Sequence, residues 1–161
     1  DEVTTEAIQS LIDLDILQQG RNKKILVRPP AGSAKAYQLL MLGQSMVSML
    51  QRFYLVIALL VNHGSGTVSR PKLEKLCQQS AERLSMIYGL HSPDFFDRAL
   101  FQNFIAELRS QNVLRRNEEG LLEFDKEITR IGEDARLVLG EEIRHSILSL
   151  TFRDAIESFE E

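Results

Sequence analysis

Apolar residues recur three and four positions apart through most of the chain, and the breaks in that rhythm mark helices and two short hairpins. Thr4 and Thr5 precede Glu6, Ala7, Ile8, Leu11 and Ile12, a spacing that predicts an amphipathic helix with a threonine cap, ending near Asp13–Asp15. Ile16-Leu17 and Ile25-Leu26-Val27 then flank Gly20-Arg21-Asn22-Lys23, two apolar runs about a turn, which predicts a hairpin. Pro29-Pro30 ends it, because proline cannot join a ladder interior. After Gly32-Ser33 a long helix is predicted from Ala34 to Val61, with Tyr37, Leu40, Met41, Gln44 and Val47 carrying its period. The nine apolar residues Phe53–Val61 are its longest uninterrupted run. A spanning helix needs about 20 such residues, so this segment is expected to be a buried core helix or one seated on a surface.

His63-Gly64-Ser65-Gly66 reads as a turn. Ser69 and Pro71 open a helix that runs to Tyr88, with Leu73, Leu76, Cys77, Ala81, Leu84 and Ile87 on one side and Gly89 placed to terminate it. Ser92-Pro93-Asp94 predicts the start of another, carrying Phe95, Phe96, Leu100, Phe101, Phe104, Ile105 and Leu108 to about Gln111. A second hairpin follows, Val113-Leu114 and Leu121-Leu122-Glu123-Phe124 about Asn117-Glu118-Glu119-Gly120. A long helix from Lys126 to Phe152 closes the chain, with Asp125 as its cap and Gly132 and Gly140 as weak points.

The two halves align. Leu11, Ile16, Leu17, Ile25 and Val27 match Leu108, Val113, Leu114, Leu122 and Phe124 at a constant offset of 97 (11 to 108, 27 to 124). Helix, hairpin, long helix thus occurs twice, which suggests an internal repeat of residues 4–61 and 97–152, against a chance alignment of two amphipathic segments. The fold class expected is mainly α with two short β-hairpins, built as tandem winged-helix-like helix-hairpin-helix units sharing a core. The helices 71–88 and 93–111 with hairpin 113–124 also follow the winged-helix order, which raises DNA binding. The second helix, however, opens Asp94-Phe95-Phe96-Asp97 and offers only Arg98, Gln102 and Asn103 as donors. Negative charge at that end opposes phosphate, so nucleic acid is an unlikely partner.

Composition adds bounds rather than an activity. The chain has 161 residues, 43% hydrophobic and 26% charged, which suits one domain or two small ones and sets disorder and collagen-like structure aside. A single cysteine, Cys77, makes no internal disulfide, so an intracellular setting is expected. Asp1-Glu2 stands where a signal peptide would be basic, and no apolar run follows.

Charge is placed unevenly. No Asp or Glu occurs between Asp15 and Glu74, while Arg21, Lys23, Lys24, Arg28, Lys35, Arg52, Arg70 and Lys72 do; from His91 onward acids outnumber bases. This pattern fits a basic face for an anionic partner (lipid, nucleic acid or an acidic protein) or a solvated face offsetting the acidic half. Arg21, Lys23, Lys24, Arg28, Lys35, Arg70 and Lys72 are the candidate anionic-surface contacts.

No catalytic constellation is visible. His63, His91 and His145 are not spaced as helical metal ligands, the lone cysteine has no companion, and neither a Gly-x-Ser-x-Gly elbow nor a Walker loop occurs. Glu141-Glu142 beside Arg144 reads as a solvated helix face. No catalytic, cofactor-binding or metal-ligating residue is assigned.

One stretch is distinctive: Lys72-Leu73-Glu74-Lys75 through Ser80-Ala81-Glu82-Arg83-Leu84-Ser85, then Gly89-Leu90-His91-Ser92-Pro93-Asp94-Phe95-Phe96-Asp97. It resembles the C-terminal region of bacterial membrane-bound glycerol-3-phosphate 1-O-acyltransferases. The likeness extends upstream through Arg52-Phe53 and downstream through Leu108 and Asn112-Val113-Leu114. The resemblance implies a parent enzyme that acylates the 1-hydroxyl of sn-glycerol 3-phosphate in phospholipid synthesis. The acyl donor would be acyl-CoA or acyl carrier protein, and the site the cytoplasmic face of the inner membrane. Catalysis in the family uses His-x4-Asp, with His as general base. Five residues after His63, His91 and His145 stand Val68, Phe96 and Leu150, so the motif is absent here. The resemblance therefore implies that residues 1–161 form a single C-terminal accessory domain, itself soluble and without catalytic activity. Its expected partners are the upstream catalytic domain, an anionic membrane surface or acyl carrier protein.

Overall fold

In the computed structural model, which describes residues 2–20, 22, 25–88 and 97–157, the chain is mainly helical with two short antiparallel hairpins. It divides into two compact units, Asp1–Met46 and Val47–Glu161.

The first unit opens with α1 (Glu2–Asp13), which already includes Thr4 and Thr5, so these threonines lie within the helix and do not cap it. Its end is closed by backbone: Ile16 N donates to Leu11 O (2.9 Å) and Asp15 N to Ile12 O (2.8 Å), with Asp15 left-handed at φ 54°. This is the Schellman arrangement, here with Asp where Gly is usual. Strands β1 (Gln18–Gln19) and β2 (Leu26–Val27) pair antiparallel, Gln18 opposite Val27. The hairpin thus begins two residues later than the apolar run Ile16-Leu17 predicts, because Ile16 and Leu17 both donate to Leu11 O in the helix-terminating turn. Helix α2 (Ala34–His63) follows, its first turn capped by Ser33, whose Oγ accepts from Ala36 N (3.1 Å).

Helix α2 contains an 18-residue window of mean hydropathy 1.5, of which 39% is buried. Among the described residues it is the one helix long and apolar enough to cross a membrane, a measure that the core helix of a soluble protein also meets. Within the second unit, its residues Tyr54 to Leu60 are all buried. Burial on every side over these seven residues places this part of α2 inside the core of the unit.

Packed into that core are Leu73, Cys77, Ala81 and Leu84 of α3 (Arg70–Tyr88), and Phe101, Ile105 and Leu108 of α4 (Arg98–Ser110). The spacings of three and four place each set on one helix face. Phe104 stacks on Phe53, ring centroids 3.9 Å apart. Helix α4 starts at Arg98, later than the Ser-Pro signal predicts. Asp97 is extended (φ −64°, ψ 116°) and its carboxylate accepts from Ala99 N at 2.8 Å, so Asp97 is the cap. Gly89, His91, Ser92, Pro93, Phe95 and Phe96 lie outside the described residues.

Helix α4 closes as α1 does. Val113 N donates to Leu108 O (3.0 Å), Asn112 N to Arg109 O (3.1 Å), and Asn112 has φ 58°. Strands β3 (Leu114–Arg116) and β4 (Leu122–Phe124) pair antiparallel, with Leu114 opposite Phe124 and Arg116 opposite Leu122. The segment before α3 joins them: Ser69 bridges Leu121, Leu122 N donates to Val68 O, and the Ser65 hydroxyl both donates to Phe124 O (3.0 Å) and accepts from Phe124 N (2.9 Å).

The continuous closing helix is not what forms. Helix α5 (Lys126–Asp134) passes into a 3-10 turn (Ala135–Leu137), and α6 (Glu141–Glu157) starts afresh after Gly140. The break buries Leu139 while Leu137 and Val138 stay exposed. Asp125 occupies the cap position of α5 but makes no capping bond; its carboxylate instead accepts from Arg115 (2.5 Å). Gly132, read as a weak point, is a packing glycine: a Cβ there would lie 3.3 Å from the Ile57 methyl Cγ2.

Candidate anionic-surface site

Of the seven basic residues singled out in the sequence, Arg21, Lys23 and Lys24 lie outside the described residues. Arg28 and Lys35 belong to the first unit, Arg70 and Lys72 to the second. Arg28 and Lys72 are exposed and make no ion pair among the described residues. The Lys35 ammonium is bonded to Asp15, whose carboxyl is held below the usual range, first by that hydrogen bond and then by the Lys35 charge. Lys35 therefore offers less free charge than its sequence position suggests.

The basic residues of the first unit stand among exposed apolar ones. Leu14, Ile25, Leu26, Val27, Tyr37, Leu40, Met41, Leu42 and Met46 are all exposed. An open recess of about 600 Å³ is lined by Leu14, Ile16, Tyr37, Gln38, Met41, Leu42 and Ser45. Asp13 and Asp15, both exposed, flank Leu14 at the start of this stretch, and no acid follows in the sequence until Glu74.

In the second unit the sequence reading overlooked a buried carboxylate that ties two helices together. Glu74, 5% exposed, accepts from Arg70 Nε (2.8 Å), Gln102 Nε2 (2.8 Å) and Arg98 Nη2 (3.2 Å). Burial, the largest single influence, pushes its carboxyl up, but the three donors and the Arg70 charge together hold it below the ordinary 4.5. Only the i,i+4 relation to Arg70 was available from sequence; Arg98 and Gln102 come from 24 and 28 positions away. Two of the three donors that could have faced a nucleic-acid groove from α4, Arg98 and Gln102, are thus committed to Glu74.

His63 is the buried last residue of α2, not part of the turn, with Nδ1 3.0 Å from Leu59 O. His145 is exposed on α6, and His91 lies outside the described residues. No group of His, Cys, Asp and Glu among the described residues could hold a metal. Cys77 is buried, and burial, then the nearby Glu74 charge, pushes its thiol far up.

Residues 1–117 match the protein family described as the glycerol-3-phosphate acyltransferase C-terminal region. The chain belongs to that family. It is also similar to the glycerol-3-phosphate acyltransferase of Pseudomonas fluorescens strain Pf-5, 40% identical over 91% of this chain and 18% of the relative. The proteins of the same name from Pseudomonas aeruginosa LESB58 and Ectopseudomonas mendocina ymp are each 38% identical over the same shares. The chain spans about a fifth of the length of these curated relatives. No solved structure matches. The family match runs through α1, both Schellman turns, α2, α3, α4 and β3, so the acyltransferase C-terminal region includes the exposed apolar patch and Glu74 alike.

Proposed function

We propose that this region is the non-catalytic C-terminal part of a longer glycerol-3-phosphate acyltransferase, and that its first unit seats the enzyme on an anionic membrane surface. The parent reaction would be transfer of an acyl group from acyl-CoA or acyl carrier protein to sn-glycerol 3-phosphate, at the cytoplasmic face of the inner membrane. Family membership supports the parent activity, and the absence of His-x4-Asp from this sequence supports placing the chemistry elsewhere on the polypeptide.

The observation that carries the docking role is the exposed apolar patch of the first unit, which lies in a stretch of sequence that holds bases and no acid from Ile16 through Leu73, with Asp13 and Asp15 beside Leu14 at its start. Apolar side chains gain by entering the headgroup boundary. Each Lys or Arg near an anionic surface adds about 1 kcal/mol. Co-sedimentation tests it: the chain binds phosphatidylglycerol vesicles, binds phosphatidylcholine vesicles less, and is released in part by salt. Equal binding to both vesicle types rejects the basic contribution. Acyl carrier protein, itself acidic, could use the same bases; its addition to labelled chain without lipid separates that partner from the membrane.

The second unit is best read as winged-helix-like. Supporting this are the order α2, α3, α4, β3, β4 and the third extended segment, Val68-Ser69, bridged to the hairpin at Leu121. The commitment of Arg98 and Gln102 to Glu74 supports a structural use of that fold rather than duplex reading.

A further inference from the structure

The second unit contains a basic recess that the docking reading does not use. It measures about 390 Å³ and brings together Ser69 and Arg70 at the start of α3, Arg109 at the end of α4, and Arg116 with Gly120 on the β3–β4 hairpin. One carboxylate, Glu119, shares the lining.

Each arginine is placed by a different feature of the fold. Arg116 lies two residues after the buried Leu114 and opposite Leu122, so strand alternation turns it to the core side of the hairpin, just past the core edge. Its guanidinium rests on the turn: a Cβ at Gly120 would lie 2.9 Å from Nη2 and 3.3 Å from Nε. The turn is itself fixed by Asn117, whose Oδ1 accepts from Leu121 N (2.8 Å) and whose O accepts from Gly120 N (3.1 Å). Arg109 stands where its own carbonyl accepts from Asn112 N in the Schellman turn. Arg70 is held by one edge, through Nε to Glu74. Neither Arg109 nor Arg116 has an ion pair or side-chain hydrogen bond among the described residues.

Arg70 is paired with Glu74, so Arg109 and Arg116 against Glu119 are what leave this concave surface with a net positive charge. Planar forks of N–H donors match the oxygens of a tetrahedral oxyanion and hold it with charge-assisted bonds. Glu119 in the same lining opposes an extended polyanion and favours a compact one. We propose that Arg70, Arg109 and Arg116 form a binding site for a single phosphoryl group, carried either on a small soluble ester or on a lipid headgroup. Arg109 and Arg116 fall outside the basic interval assigned to docking, so loss of this site and loss of docking are separate results.

The test follows the arginine Nε resonances of the full chain during titration with inorganic phosphate, with glycerol phosphate, and with phosphatidylcholine vesicles with and without phosphatidic acid. Arg109 and Arg116 should shift saturably. The double variant R109Q/R116Q, both exposed positions, should keep its melting temperature and weaken binding by about tenfold or more, as expected for losing two charge-assisted hydrogen bonds. Saturation with free phosphate or glycerol phosphate identifies the soluble source; saturation only with phosphatidic acid vesicles identifies the headgroup; either supports the site. Shifts that grow linearly and are matched by sodium chloride of equal ionic strength overturn it. So does binding that R109Q/R116Q leaves unchanged.

Discussion

Asp15 and Asn112, 97 positions apart, hold the same left-handed backbone, φ 54° and 58°, and are the two non-glycine residues with positive φ among those described. Each ends a helix with the same pair of bonds: the next residue's N–H reaches back five positions, to Leu11 in one case and Leu108 in the other, and its own N–H reaches back three. Short polar side chains tolerate this conformation better than alanine does, because they can bond locally to the backbone.

Replacing Asn112 with alanine should therefore destabilise the second unit by about 1 kcal/mol, the scale of the left-handed penalty for an ordinary residue. Urea unfolding should show a lower midpoint with an unchanged slope. An unaltered midpoint would mean that the left-handed turn is not under conformational cost.

Glu74 should matter more than an exposed acid. Glu74→Gln keeps the shape but removes the charge from three donors; since Arg70 and Arg98 can partly return to water, a loss of about 2 kcal/mol is expected. The folded carboxyl lies below its ordinary 4.5, so its stabilising effect is complete above about that pH and fades as pH falls through the lower folded value. The stability gap between wild type and Glu74→Gln, measured by chemical denaturation, should narrow from neutral pH into acid. A constant gap would contradict this.

Cys77 should be inert in the folded protein. Its thiol is fully buried in α3 and shifted well above the ordinary cysteine value, which suppresses thiolate and access together. A chromogenic disulfide reagent at neutral pH should give no colour until denaturant is added; prompt native reaction would show that α3 opens readily.

Gly120→Ala should combine strain with displacement. The residue has φ 86°, and the added methyl would meet the Arg116 guanidinium. A cost of about 1–2 kcal/mol is expected from the backbone alone. The Arg116 Nε resonance should move from its native position; a wild-type spectrum would show that the guanidinium is not resting on the turn.

The helices were readable because burial repeats with their own period. Spacing alone places Leu73, Leu76, Cys77, Ala81, Leu84 and Ile87 on one side of α3; Leu73, Cys77, Ala81 and Leu84 are buried and Leu76 is half-buried, while Ile87, near the helix end, is exposed. Boundaries were less readable where two signals compete. The sequence predicts the start of this helix at Ser92-Pro93-Asp94, and the Asp97 cap is what marks Arg98 as the first residue of α4. The break after Asp134 was hidden because Ala135 to Leu139 continue an apolar pattern, while burying Leu139 requires the chain to turn. At the candidate site, basic residues could be counted but not paired. That Asp15 occupies Lys35, that Glu74 occupies Arg98, and that Arg109 and Arg116 share a recess with Arg70 are facts of three-dimensional placement.

The glycine at 132 makes the distance between α5 and α2 depend on one missing carbon. A methyl there would press on the Ile57 Cγ2 methyl, which would have to give by a few tenths of an ångström, and a larger side chain would ask for more. The volume of residue 132 is thus a spacer dial, and a graded series of larger residues would read out how far the core can swell before it gives way.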